Sequence, residues 1–522
     1  MKGLLMTEET FFDSSKIIAE NFLQTVLFVD ESIKFPEDID KNPLTSPKPR
    51  PGTDINISDV PNPEGSQVEQ ASHNLVINEI IGIFAEKRIL CSIIKPERAD
   101  LSKLPNTLVN LLDNSDISIL DWKLGDVAGK EVLDVLEKMN EKRYPGLHLL
   151  IIYSAEAPQV ILEAICEKLS IGFPTGEDKS LNTRFGRVVI AAKPGNKFTD
   201  VHVNFDQLPD FAVNHFTDLV MGLISNSVLQ AISIIRKKTN QIIDQFSRNL
   251  DPPYLTHRML LLNPEDAEKH IEKMIVGEFD GLVEGNIGKS LDVSEIKKWL
   301  EWKDFPNYTD DTTTITNDQF GELLEIGFEE YKKQSSGKVS NNFHKKNIST
   351  HLGGDENSDR VFAYILEAKS KYNDDPPLLT TGTILESGSG NFLLCVQARC
   401  DCVRIIKERA FPFLKLNKIE SEKDFNLIIK DQDNHYLKIK IDNKPYNIEL
   451  INFTISGTEN KVIAQQDQDK YIFMDSQGTK YYWLGELRFD FAQKIINEYS
   501  SEISRVGVNE SEWLRRKYES KE

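Results

Sequence analysis

The stretch 117–122 reads Ile-Ser-Ile-Leu-Asp-Trp, a short apolar run that ends abruptly on the carboxylate of Asp121. A buried parallel strand has this composition, because helices cover both of its faces. In α/β folds, ligands bind at the carboxyl ends of such strands. The stretch therefore predicts an α/β fold with Asp121 at the functional edge of a parallel sheet.

Three other apolar runs also end on polar side chains. They are Thr25–Val29, followed by Asp30 and Glu31; Leu147–Tyr153, followed by Ser154; and Val188–Ala192, followed by Lys193 and Pro194. Because parallel strands end at one sheet edge, these runs are expected to bring together three carboxylates, one hydroxyl and one ammonium group. Such a site can bind Mg²⁺ and accept a phosphoryl group.

The order of these groups resembles the receiver domain of two-component response regulators. That family has an acidic pair after strand one, a phosphoacceptor Asp after strand three, a Ser or Thr after strand four and Lys-Pro after strand five. The spacing after Asp121 also fits, with Leu124, Gly125 and Gly129 three, four and eight positions on, and Ala155 is the small residue after the hydroxyl. The alternative is an unrelated α/β sheet whose edge acids are accidental.

The resemblance implies a role for each group at the predicted site. Asp121 would be the phosphoacceptor, Lys193 would pair with the phosphoryl group, and Ser154 would donate a hydrogen bond to it. Mg²⁺ would be held by a set of oxygen ligands: Asp30, Glu31, Asp121 and the backbone carbonyl of Lys123. The phosphoryl donor would be a histidine kinase, and no enzymatic activity beyond this transfer is expected.

Three positions near the site bear on how it would behave. Receivers that switch an output usually have an aromatic residue three positions before the lysine, and this chain has Ile190 there. The usual coupled movement of the hydroxyl and the aromatic ring is therefore not expected. Lys123 and Glu156 occupy positions that influence acyl-phosphate lifetime in the family, and an ion pair between them would hinder water at the entrance.

The composition is that of an ordinary soluble protein. The length of 522 residues predicts about three domains. A net charge of −20 argues against nucleic-acid binding, which needs a basic surface.

Met1–Glu20 has no apolar core flanked by basic residues, so no secretory signal is expected. The longest apolar stretch, Leu219–Ile235, is interrupted by polar residues and predicts a buried helix instead of a membrane span. Five cysteines, an odd number, favour the reducing cytoplasm.

The predicted architecture has three parts. Residues 15–200 form a receiver-like (flavodoxin-like) five-stranded parallel sheet, with polar insertions at 34–72 and 172–187. The first insertion follows the acidic pair and is expected to lie across the site. Residues 206–375 are helical, and residues 376–522 form a β-rich α+β domain that closes with two helices.

Two parts of the chain allow more than one interpretation. Phe211–Phe246 is either one long helix or two, and the helical region either docks on the receiver, mediates a homodimer or is simply core. Cys395, Cys400 and Cys402 are either zinc ligands that lack a fourth partner or buried apolar residues beside a turn. In a continuous strand, Cys395 would face away from the other two thiols.

Three function classes remain open. The whole chain resembles the accessory receiver proteins of the Detocs two-component phage-defence system, which implies a phosphoryl sink that restrains a separate effector response regulator. The second class is an effector whose C-terminal domain carries a binding or enzymatic output controlled by phosphorylation. The third is a pseudo-receiver that serves only as a docking platform.

Overall fold

The chain folds as two compact units, one of residues 1–309 and 314–338 and the other of residues 310–313 and 339–522. The computed structural model describes residues 9–33, 77–97, 101–141, 146–174, 180–199, 201–284, 286–287, 291–309, 314–334, 345–420, 424–455, 460–504 and 516–517. The predicted insertion 34–72 lies outside these residues, and so do residues 505–515, in the region where the second C-terminal helix is expected. The predicted boundaries near residues 206 and 376 stay predictions.

The first unit is built on a six-stranded sheet. Its strands are β1 (Thr25–Val29), β2 (Leu90–Ile94), β3 (Ile117–Leu120), β4 (His148–Ser154), β5 (Ser180–Thr183) and β6 (Gly186–Ala192). The order is β2-β1-β3-β4-β6-β5, and every neighbouring pair is parallel except β5 and β6. The predicted five-stranded parallel sheet is confirmed, with the order β2-β1-β3-β4-β6.

The sixth strand corrects the sequence prediction, which treated residues 172–187 as a polar insertion. Part of that segment forms β5 and pairs antiparallel with β6. Leu181 and Phe185 supply the reason, because both side chains are buried in the core beneath this edge. Gly186 sits at the start of β6 with φ +137°, and a Cβ there would lie 2.0 Å from the carbonyl oxygen of His148.

Helices cover both faces of this sheet. They are α1 (Phe11–Phe22), α2 (Ile77–Glu86), α3 (Leu104–Leu112), α4 (Lys130–Asn140), α5 (Pro158–Leu169) and α6 (Leu208–Val220). Val26 and Phe28 belong to the core under α1, α2 and α6, whereas Leu27 and Val29 belong to the core under α3, α4 and α5. This alternation along β1 is the pattern of a strand buried on both faces.

The helical stretch after the sheet begins with two helices, α6 and α7 (Leu223–Gln245), so the segment Phe211–Phe246 is not one long helix. The later elements are α8 (Asp251–Leu260), α9 (Asp266–Val283), α10 (Val293–Lys303), the short strands β7 (Tyr308–Thr309) and β8 (Thr314–Ile315), α11 (Asn317–Ile326) and α12 (Phe328–Gln334).

Helix α7 is anchored to the sheet by an ion pair. Arg236 of α7 donates to the Asp116 carboxylate at 2.9 Å, beside the start of β3. Asp116 also accepts from the backbone amides of Gln24 and Thr25, so α7 is held at the amino edge of the sheet.

The second unit has the predicted β-rich character. Its elements are α13 (Lys345–His351), α14 (Glu356–Glu367), β9 (Thr383–Ser387), β10 (Phe392–Cys395), β11 (Arg409–Lys418), β12 (Leu427–Lys430), β13 (Tyr436–Ile441), β14 (Ile448–Phe453), β15 (Gln465–Asp467), β16 (Lys470–Met474), β17 (Lys480–Glu486) and α15 (Phe489–Ile503). The nine strands form one antiparallel sheet in the order β12-β13-β11-β10-β9-β17-β16-β15, with β14 paired to β11. No helix in the described ranges of either unit is long and apolar enough to span a membrane.

The cysteine cluster of this unit is not arranged as a zinc site. The strand ends at Cys395, and residues 399–402 form a short 3-10 helix, so the strand alternation expected between Cys395 and Cys402 does not apply. Both of these thiols are buried in the same core, whereas Cys400 is exposed. Two thiols inside the core and one in solvent cannot converge on one ion, which favours the interpretation as buried apolar residues.

Candidate functional site

Three strands of the first unit end on charged side chains at the same edge of the sheet. Asp30 follows β1, Asp121 follows β3 and Lys193 follows β6. The amide of Asp121 donates to the carbonyl of Val29 at 2.9 Å, and the amide of Asp30 donates to the carbonyl of Ile94 at 3.2 Å. The backbone hydrogen bonds between the strands therefore continue up to Asp30 and Asp121 and hold the backbone of both residues in place.

The three side chains meet at one point. The Lys193 ammonium donates to Asp30 Oδ2 at 2.7 Å and to Asp121 Oδ2 at 2.8 Å. The exposed fraction of the side chain is 1% for Asp30, 11% for Asp121 and 17% for Lys193. Two largely buried carboxylates therefore share one cation, as the strand ends in the sequence predict.

Burial and charge together set the protonation of this cluster. Burial raises the pKa of Asp121, and the neighbouring Asp30 charge raises it further, while Lys193 acts to lower it. Burial acts to lower the pKa of Lys193, but the charges of Asp121 and Asp30 outweigh burial, and the net pKa is raised. Lys193 is therefore a firmly protonated ammonium that offsets the repulsion between two acids.

Asp30 is also held from its other side by a residue that sequence reasoning missed. The backbone amide of Ser32 donates to Asp30 Oδ1 at 2.7 Å, and the Ser32 hydroxyl donates to the same oxygen at 2.5 Å. The signal was available, since an Asp followed two positions later by Ser commonly forms such a local turn. Glu31, the second member of the predicted acidic pair, is solvent-exposed, and among the described residues it makes no ion pair with Lys193.

Ser154 lies beside Lys193 at the end of β4. The Lys193 amide donates to the Ser154 carbonyl at 2.8 Å, and the Ser154 hydroxyl oxygen accepts from the Glu156 amide at 3.1 Å. A hydroxyl that accepts one bond still has its own proton to donate. The loop is also braced by Asn196, a buried residue that sequence reasoning missed, whose side-chain amide donates to the Glu156 carbonyl at 2.8 Å.

The aromatic side chain that contacts Lys193 is Tyr153, whereas position 190, three residues before the lysine, is the aliphatic Ile190. Ile190 is buried in the core beneath the sheet, as its apolar side chain requires. The Lys193 ammonium lies 5.5 Å from the centre of the Tyr153 ring, within the range of a cation–π contact. The Tyr153 hydroxyl donates to the Val203 carbonyl at 3.0 Å, on the segment that leads into α6.

The entrance to the site differs from one sequence expectation. Lys123 and Glu156 are both exposed, and no ion pair joins them in the part of the chain that the structure describes. The Lys123 backbone amide instead lies 3.4 Å from Asp121 Oδ1 as a donor. The proposed ionic gate against water is therefore absent from this structure, while the Lys123 backbone does adjoin the acceptor carboxylate.

The loop after Asp121 is shaped by one close contact. Trp122 is buried, and Gly129 adopts φ +82° against its ring, so a Cβ at position 129 would lie 2.2 Å from Trp122 Cζ2. The Gly129 amide donates to the Trp122 carbonyl at 2.9 Å and closes the loop ahead of α4. The glycine eight positions after the acceptor is thus required both by backbone conformation and by space.

Gly129→Ala is expected to lower the free energy of unfolding by about 2–4 kcal/mol, because it adds a left-handed alanine and an overlap with the indole ring. Gly195→Ala is the matched control, since Gly195 has φ +78° and a Cβ there would meet nothing within 4 Å. That control should cost only about 1 kcal/mol. Urea unfolding of both variants measures the difference, and equal losses would contradict this account of Gly129.

The donor set suits Mg²⁺. This hard cation takes oxygen ligands and typically uses one or two carboxylates. Asp30 and Asp121 supply two that already converge on one positive charge, 2.7 and 2.8 Å from the Lys193 nitrogen. The residues present therefore fit the metal that the resemblance implies.

Comparison with known proteins agrees with this geometry. Residues 22–197 match the family model described as the response receiver domain. No curated protein and no solved structure matches the chain significantly. Receiver domains generally bind Mg²⁺ in their acidic pocket, interact with histidine kinases and act as phosphoacceptors of two-component signalling. With its parallel sheet and its Asp30, Asp121 and Lys193 cluster, the segment 22–197 of this chain is a response receiver domain.

Proposed function

We propose that this chain is a phosphoryl-accepting protein of a bacterial two-component phosphorelay, phosphorylated on Asp121 in the presence of Mg²⁺. The observation that carries the proposal is the Lys193 ammonium shared between Asp30 and Asp121 at 2.7 and 2.8 Å. A docking platform has no need of a buried cluster of this kind, since burying charges is costly unless they are paired. The cluster therefore supports an active receiver over a pseudo-receiver.

The proposed transfer uses the chain's own groups as follows. An Asp121 oxygen forms a bond to the phosphorus of a phosphohistidine, while the P–N bond breaks and its electron pair returns to the imidazole. Lys193 turns from the Asp121 carboxylate to the phosphoryl oxygens, and Ser154 donates its remaining proton to one of them. The phosphoryl group carries about −1.5 to −2 charge in place of the single negative charge of the Asp121 carboxylate, so cations are needed at the site.

Mg²⁺, when bound, supplies charge neutralisation for both the carboxylates and the phosphoryl oxygens. Asp30 and Asp121 would hold it through their side chains. By resemblance to other receivers, Glu31 and the backbone carbonyl of Lys123 would complete the protein ligands. Apart from this transfer, which the receiver itself accelerates, we propose no enzymatic activity for the chain.

We further propose that the protein is a phosphoryl sink that draws phosphoryl groups from a sensor kinase and restrains a separate effector of an anti-phage defence pathway. Ile190 in place of an aromatic residue supports this role, because the usual route from phosphorylation to an output surface is missing. The net charge of −20 disfavours a transcriptional output. The resemblance of the whole chain to the accessory receiver proteins of the Detocs system motivates the choice of pathway.

Asp121→Ala is expected to raise the basal toxicity of the partner system in uninfected cells, because phosphoryl groups would then reach the effector. The measurement is growth of cells that carry the kinase and effector genes with wild-type or variant protein. Asp126→Ala, an exposed acid on the same loop, is the control and should behave as wild type. Growth arrest by the phosphorylated wild-type protein alone, with an inert Asp121→Ala variant, would identify an effector and end the sink proposal.

A further inference from the structure

Helix α7 begins on the receiver sheet and then leaves it. Its first half is anchored by buried Leu229 and by Ser233, whose hydroxyl donates to the Asn21 carbonyl at 2.7 Å. The next anchors are Arg236, through its ion pair with Asp116, and Lys237, whose ammonium donates to Asn21 Oδ1 at 2.8 Å. We call residues 238–283, which comprise the rest of α7 together with α8 and α9, the arm; the structure describes all of them.

The arm lacks a core of its own. No residue of α8 is buried, α9 buries only Ala267, and the arm's part of α7 buries only Ile242. Helices of 10 and 18 residues are marginal in water unless an apolar face is covered. Helix α9 contacts both α7 and α8, but these contacts leave the larger apolar side chains of the arm in solvent.

Many large apolar side chains of the arm are exposed. The most exposed are Leu262 at 95%, Leu260 at 80%, Met259 at 74% and Ile243 at 63%, and Val276 on α9 is exposed to 58%. Ile275 and Phe279 of α9 are exposed as well, at 37% each. Exposed apolar side chains that cluster together mark interaction sites, and α9 brings Ile275, Val276 and Phe279 within about one turn of helix.

The charges on α9 indicate which partner fits. Lys273 and Asp280 are seven residues apart, so they lie on the same flank of the helix, with Val276 beside the midpoint between them. If two α9 helices pack antiparallel about Val276, Lys273 of each copy meets Asp280 of the other. A parallel pair would instead set lysine against lysine. The surface is therefore complementary to itself, as a two-fold interface requires.

We propose that the arm is the interface of a homodimer in which the α9 helices of two copies pack antiparallel around Val276. The inference does not depend on the phosphoryl chemistry, because the arm lies outside residues 22–197. It places the contact beyond Arg236 and Asp116, at the amino edge of the sheet and away from Asp121. The anchors of the arm and the Asp121 site therefore lie at opposite edges of the sheet.

Sedimentation of the full chain over a range of concentrations tests the proposal. The wild-type protein is expected to be a dimer, and Val276→Glu is expected to be a monomer because it buries a charge at the centre of the contact. Val160→Glu is the matched control, since Val160 also lies on a helix and is exposed to 55%. A wild-type monomer, or a Val276→Glu dimer as tight as the control, would overturn the proposal.

A charge exchange distinguishes this arrangement from any other self-association. Lys273→Asp and Asp280→Lys should each weaken association about tenfold, because each variant makes two like-charge contacts per dimer. An equal mixture of the two variants should recover wild-type affinity, since both contacts between unlike copies are then attractive. Circular dichroism of each variant checks that the helices are intact. Failure of the mixture to recover affinity would overturn the antiparallel α9 contact.

Discussion

Asp121→Asn is expected to abolish transfer of labelled phosphate from a cognate histidine kinase, reducing acid-stable, hydroxylamine-sensitive label to background. The amide cannot act as the carboxylate nucleophile. The cluster around it should survive, because Lys193 keeps its 2.7 Å bond to Asp30. A loss of label therefore reports on chemistry instead of unfolding.

The matched control for this variant is Asp126→Asn. Asp126 is an exposed acid five positions further along the same loop, so its replacement removes one negative charge from the same region. The control should label as the wild type does. Equal labelling of the wild-type protein and Asp121→Asn would rule out the assignment of the acceptor.

Mg²⁺ affinity is expected to fall about 100-fold in Asp30→Asn, because the variant removes one of two buried carboxylates that converge on the cation site. Ser32 and Lys193 hold the Asp30 side chain in place, so this carboxylate needs little ordering when a metal binds. Trp122 adjoins Asp121 and is buried, and its fluorescence should therefore report the titration.

Glu31 provides an internal comparison for the same titration. Its side chain is exposed, so it must be ordered on binding, and Glu31→Gln should have the smaller effect. The double variant Asp30→Ala/Glu31→Ala should lose measurable affinity. An unchanged affinity in that double variant would contradict the metal site.

The sequence was most informative where a residue's role follows from strand order. Asp30, Asp121, Ser154 and Lys193 each end an apolar run, and parallel strands necessarily end at one edge. Strand order alone therefore predicts that Asp30, Asp121 and Lys193 lie together, as the structure has them. It did not predict which of the two acids in the pair Asp30-Glu31 faces inward, because adjacent residues after a strand can turn either way.

Other features depend on tertiary contacts that no local pattern reveals. The sequence of β5 looks like a polar insertion, because only Leu181 of its four residues is buried. The segment becomes a strand because it pairs with β6. Tyr153 contacts Lys193 across two strands, and Asn196 braces a loop from another part of the chain. The helical spacing of apolar residues predicts the helices of the arm, but many of these residues are exposed. The spacing does not reveal which partner covers an apolar helix face.

The acceptor can be identified most directly by chemical mapping of the phosphorylated wild-type protein. Borohydride reduces an aspartyl phosphate to homoserine, so the protein is incubated with the kinase, ATP and Mg²⁺, reduced, digested and sequenced by mass spectrometry. Homoserine is expected at position 121, and only when all three components are present. Homoserine at another acid, or a phosphorylated protein in which position 121 remains aspartate after reduction, would contradict it.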